Sequence, residues 1–111
     1  MAYQEKQLGQ SRDNDTSAHS VYSPASGVTA IVTTIVLANT SSSSAKVRVF
    51  LDDDGTTYDQ TTALAYDILI AAGASEIIMG FFPMHNSAGN LAYQEGTANA
   101  ITITVFGTEI S

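Results

Sequence analysis

The chain has 111 residues, a formal net charge of −7, no cysteine, and only 14% charged residues. At this length one domain buries roughly two-thirds of its unfolded surface, so a single core forms without disulfides. The cations, Lys6, Arg12, Lys46 and Arg48, are few and scattered, which excludes the clustered positive field of a nucleic-acid binder and disfavours an anionic membrane surface. A hydrophobic fraction of 44% is too high for a disordered chain, and the abundance of Ser and Thr points to strands and turns.

In chain order, residues 1–16 are expected to form a polar N-terminal arm, anchored by Tyr3 and Leu8, ahead of a sandwich domain over 17–111. The opening residues MAYQEKQLGQ lack the apolar core of a secretory signal, and no apolar run approaches the ~20 residues of a membrane helix. The expectation is a chain made in a cytoplasm. Ser17 to Tyr22 is a short strand closed by Pro24 and Gly27. Val28 to Asn39 is rich in β-branched residues, which pack well on a pleated surface. Simple alternation puts Ile31, Thr33, Ile35 and Leu37 on one face and Ala30, Val32, Thr34, Val36 and Ala38 on the other. Both faces are apolar, so the strand is covered on both sides or one face meets another subunit.

Ala45 to Leu51 alternates, with Val47, Val49 and Leu51 inward and Lys46, Arg48 and Phe50 outward. Asp52-Asp53-Asp54-Gly55 reads as a turn. Leu64 to Ile70 is the next strand, with a helix over Thr61–Ala72 as the competing reading. Glu76 to Phe82 follows, with a bulge or bend at Gly80. Pro83 to Gly89 is a loop, and strands over Leu91–Gln94 and Ala100–Phe106 complete the domain. Seven or eight strands at roughly ten-residue spacing predict an all-β sandwich, jelly-roll-like, of antiparallel strands.

Motifs for chemistry are weak. Asp52, Asp54 and Asp59 resemble part of a calcium loop, but Phe50 and Thr61 occupy positions where that loop needs ligands, so a hydrated turn is the expectation. His19 and His85 lack the spacing that places two imidazoles on one metal. No G-x-S-x-G elbow and no phosphate-cradling glycine loop occurs. Asp59, Asp67, Glu76 and Glu95 form a catalytic carboxylate pair only if folding brings them together. Tyr58, Tyr66 and Tyr93 are a possible sugar platform. The adjacent Phe81 and Phe82 point to opposite faces of a strand, one toward the core and one toward a contact. No enzyme activity, metal or cofactor is expected.

Several short motifs resemble a family of small virion proteins of tailed bacteriophages. They are Leu8-Gly9-Gln10 in the arm, Val21-Tyr22-Ser23-Pro24 at a strand end, the β-branched strand ending in Asn39, Val47-Arg48-Val49, Tyr66-Asp67, and Phe106-Gly107-Thr108-Glu109-Ile110. Ser23 replaces the family's Val before Pro, and Pro83 to Asn99 is longer than the family's equivalent. The resemblance implies a non-enzymatic β-sandwich component of the particle. The leading expectation is a capsid decoration, or cement, protein that binds the major capsid protein on the outer shell as a homotrimer, through Tyr3, Leu8, Phe81, Phe82 and Met84. A tail, collar or fibre-attachment protein is the alternative, and a carbohydrate-binding sandwich is an alternative of a different class.

Overall fold

In the computed structural model, which describes residues 2–111, the β-branched and alternating segments form eight strands. They are β1 (Tyr3–Arg12), β2 (His19–Tyr22), β3 (Thr29–Asn39), β4 (Ala45–Asp52), β5 (Ala63–Ile70), β6 (Ser75–Met84), β7 (Asn90–Glu95) and β8 (Ile101–Ile110). Two four-stranded antiparallel sheets result, in the orders β1-β8-β3-β6 and β2-β7-β4-β5. Every consecutive pair of strands changes sheet except β4 and β5, which form a hairpin, and later strands return beside earlier ones; this is the jelly-roll arrangement of eight strands. The Thr61–Ala72 segment is strand, not helix: Ala65, Ile68 and Ile70 turn inward at alternate or bulge-shifted positions and pack on β4.

The core lies between the sheets. Val32, Ile35 and Leu37 of β3 and Ile101, Ile103 and Val105 of β8 meet Val47 and Val49 of β4 and Leu91 and Tyr93 of β7, all fully buried. Tyr93 is a large apolar body with a polar tip, and its hydroxyl is satisfied inside: it accepts from the Asp13 N–H at 2.8 Å and donates to the Ile101 carbonyl at 3.4 Å. Phe50 sits outside this core, on the outer side of β4 as expected. It is nevertheless buried, under Tyr58 of the β4–β5 loop at 6.1 Å between ring centroids.

The strand expected as the strongest element differs in phase. Val32 and Ile35 both point inward, because Thr33 is an extra residue between the pairs Val32↔Gly107 and Thr34↔Phe106. A β-bulge of this kind reverses the alternation beyond it. It is one of a row. Leu8 is the extra residue of β1 against β8, and Gly80-Phe81 oppose Thr33 on β6. The bulges therefore run across the whole first sheet along one line, at residues 105–107 of β8.

Residues expected to form an arm also differ. From Tyr3 to Arg12 they are an edge strand paired antiparallel with β8. Backbone pairing needs no apolar periodicity, and β1 lends the core only Leu8, which packs against it beside Gly107. Gly107 has no room for a side chain: a Cβ there would run into the Ile31 carbonyl oxygen and come within 2.9 Å of Leu8 Cδ1. The obstacle is the β3 backbone, which cannot swing aside. Gly107→Ala is expected to cost roughly 1–3 kcal/mol of stability, measured as a fall in urea midpoint at unchanged slope.

Candidate assembly surface

Directly paired residues of antiparallel strands point to the same face, so register defines the outer surface of the β1-β8-β3-β6 sheet. One row runs Phe106–Thr34–Met79 across β8, β3 and β6. The next runs Thr104–Val36–Ile77, and a third Thr102–Ala38–Ser75. Beyond the bulges comes Thr108–Ile31–Pro83. Every outward residue of these three strands is apolar or hydroxylated, with no charge among them, although the chain carries −7 overall. Among the described residues, charges on this face come from β1 alone, with Glu5, Arg12 and, at the bulge line, Lys6. Nothing among the described residues covers it.

Along β6 the exposure is greatest. Ile77, Met79 and Phe81 are 55%, 76% and 68% exposed. Large side chains this open in one row are unusual on a solitary domain and make this face a candidate interaction surface. On the neighbouring edge strand β5, Leu64, Tyr66 and Leu69 are also exposed. An open depression of about 500 Å³ lies on the same outer face at the bulge line, with Lys6, Thr33, Phe106 and Gly107 in its lining.

The contact residues expected from sequence divide. Phe81 is exposed on β6, and Tyr3 is 70% exposed at the far edge of the same sheet. Phe82 turns inward and is half-buried against the core, as expected for the neighbour of an outward Phe81. Leu8 is half-buried at its bulge. Met84 is a core residue, 1% exposed, and supports the sheet from beneath. Ile77, Met79 and Phe106 were not foreseen. The signal was present: in a strand from Glu76 to Phe82 the alternation places Ile77, Met79 and Phe81 on one side.

The residues weighed for chemistry are engaged separately. The Asp52 carboxyl accepts from the N–H groups of Thr57 at 2.8 Å and Asp54 at 3.2 Å; these bonds hold its pKa below the usual carboxylate value and close the loop upon itself. Asp59 bonds to Thr61. Asp67, with φ of 56°, holds Arg48 at 2.7 Å, and the Arg48 guanidinium lies 4.1 Å from the centre of the Tyr66 ring. Tyr58 is stacked on Phe50 and Tyr93 is buried, so the three tyrosines share no platform. His85 is exposed, 3.9 Å from Asp53. Among the described residues no three His, Asp or Glu side chains come together as a metal-holding group.

His19 has a structural partner. Its Nε2 is 2.7 Å from Asp15 Oδ1 and 3.8 Å from Asp13 Oδ2, at the junction of β1 and β2. The hydrogen bond to Asp15, reinforced by the charges of Asp13, Asp15 and Glu95, raises the His19 pKa above 6.5. A raised folded-state pKa stabilises the fold fully below the unfolded value and loses that stabilisation as pH rises through the folded one. Melting temperature is therefore expected to drop between about pH 6 and pH 8 by an increment that His19→Asn abolishes, read by parallel thermal melts.

No protein-family model matches the chain, and no curated protein matches it.

Proposed function

We propose that the chain is a structural protein of a tailed-bacteriophage particle, and that it decorates the outer surface of the capsid. The observation that carries this reading is the uncharged outer face of β8, β3 and β6, with its exposed stripe of Ile77, Met79 and Phe81. Such a face has a use when another protein surface lies on it. The partners are further copies of the chain and the major capsid protein, and the location is the virion. The short motifs resembling small virion proteins support the same reading. So does the jelly roll, a fold that recurs in viral capsid and lectin domains, although a fold alone does not assign a function. The lectin reading is weaker because Tyr58, Tyr66 and Tyr93 lie in three separate places.

Quantitative mass spectrometry of purified particles of the phage that encodes the chain tests the proposal. The expected result is the chain in fixed, high ratio to the major capsid protein. A few copies per particle would move it to the tail or collar. Absence from the particles would overturn the proposal.

A further inference from the structure

We infer that β6 is a self-pairing edge: two copies of the chain join their β6 strands antiparallel about a two-fold axis at Met79, fusing their outer sheets into one eight-stranded sheet. The inference rests on the reading of this face as an assembly surface and names its first occupant, a second copy.

The backbone argument comes first. β6 ends its sheet, so one side of a ten-residue strand, about 34 Å long at the usual rise, offers unpaired N–H and C=O groups. Natural proteins guard such edges with charge, proline, brevity or a bulge. β1, the opposite edge, is guarded by Glu5, Lys6 and Arg12, and by its own bulge at Leu8. β6 has one charge, Glu76, its Pro83 comes only at the end, and its bulge at Gly80-Phe81 leaves the alternation of exposed and inward side chains from Ile77 to Met84 in phase. A sheet with one open edge and one guarded edge closes at two copies instead of growing into a filament.

The side chains then select a register. With Met79 opposite its symmetry mate, Ile77 of each copy faces Phe81 of the other, so the three large exposed apolar residues of β6 meet apolar partners, while Pro83 falls opposite Ser75. On the inner side, Ile78 of each copy faces Gly80 of the other, where a bulky residue meets an absent one. Moving the axis by one residue to Ile78 would set Phe81 opposite Ser75. Charge permits the contact: two copies at −7 repel as wholes, but the joined rows Phe106–Thr34–Met79 carry none. At roughly 100 Å² each, the three opened side chains put about 300 Å² per copy into the contact besides the strand backbone. The contact is therefore smaller than standard specific interfaces, which run near 1,200 Å² in total and above, so the dimer is weak and concentration-dependent. It is a two-fold dimer where the sequence led us to expect a trimer.

The absence of cysteine makes the test clean. In M79C the only thiols of the solution lie across the axis, at a separation that paired strand positions allow to bridge. A mild thiol oxidant is expected to convert M79C to a covalent dimer many-fold faster than T97C, a variant at an exposed loop site. Sedimentation of the wild-type protein over a concentration series is expected to show a monomer–dimer equilibrium. Met79→Glu is expected to weaken it at least roughly tenfold, with an unchanged circular dichroism spectrum. A wild-type monomer at every concentration, a trimer, or M79C bridging no faster than T97C would each overturn the pairing. These measurements use the isolated protein, so a chain that dimerises but is missing from particles refutes the proposed function alone. A chain that is present in particles but shows no β6 bridging refutes this inference alone.

Discussion

Glu95→Ala is expected to be the most damaging single truncation outside the apolar core, at roughly 2–5 kcal/mol. Glu95 is 1% exposed at the end of β7, and its Oε1 accepts from the Ala100 N–H at 3.0 Å and the Ile101 N–H at 2.9 Å. Those donors begin β8, the strand that pairs with both β1 and β3. Removing the acceptor leaves two buried N–H groups without partners, each costing ~1–3 kcal/mol, with a cavity added. For a domain whose total stability is ~5–15 kcal/mol, that corresponds to a fall in melting temperature of about 10–25 °C. Glu95→Gln separates the acceptor from the rest of the group. Its amide oxygen can keep both bonds, and its nitrogen takes the place of Oε2, which has no hydrogen-bond partner among the described residues. The glutamine variant is therefore expected to keep most of the stability that the alanine variant loses. Equal losses in the two variants, measured by calorimetry, would contradict this role for Oε1.

Asn39→Ala is expected to cost about 2–4 kcal/mol and to loosen the β6 edge. Asn39 is buried at the end of β3. Its Nδ2 donates to the carbonyls of Ile70 and Ser43, each at 2.9 Å, and its Oδ1 accepts from the Ser41 N–H at 2.9 Å and the Ser41 hydroxyl at 2.7 Å. Its backbone N–H donates to Ala74 and its carbonyl accepts from Gly73. One residue thus ties the end of β3 to its own following loop, to the end of β5, and to the turn that launches β6. Buried polar networks of this kind are expensive to break in part. Asn39→Asp is expected to lose nearly as much, since a carboxylate cannot donate to Ile70 and Ser43 and would face their carbonyl oxygens. Hydrogen exchange at the amides of the β5–β6 turn should accelerate in both variants. Unchanged exchange there would detach Asn39 from the positioning of β6.

The fold was legible wherever a strand carries its own periodicity. β4 alternates cleanly, and β3 is so rich in Val, Ile and Thr that no other element fits it. Gly80 was recognisable as a bulge because a glycine inside a strand marks an irregularity. The faces of β3 were not legible. The bulge at Thr33 is set by the paired strands β6 and β8, and nothing local to Thr33 announces it. β1 was hidden for a related reason. An edge strand held by its backbone to β8 needs no apolar face of its own, so a polar sequence such as Gln4 to Gln7 reads as an arm when it is a strand.

The candidate surface was half legible. The double apolar character of β3 implied either cover on both sides or one face turned to another subunit, and among the described residues nothing covers the outer face. Phe81 was found because Phe82 beside it must point the other way. Met84 was counted with the contact because it follows in sequence, yet β6 runs on through Pro83, and two further steps of alternation carry Met84 into the core. Ile77 and Met79 needed the same alternation to be followed backwards from Phe81. Phe106 joins them only through the register of β8 on β3, which is long-range information. The carboxylates were illegible as a site because each is engaged by its own neighbourhood, Asp52 by its loop and Asp67 by Arg48.

If the proposed function holds, the most direct test of the account is hydrogen–deuterium exchange of the chain in assembled phage particles, compared with the dilute free protein. Strong added protection across 75–84, with lesser protection of the neighbouring outer rows, is the predicted result. Amides of β6 that exchange in the particle as freely as in the dilute protein would contradict the claim that this face exists to be covered.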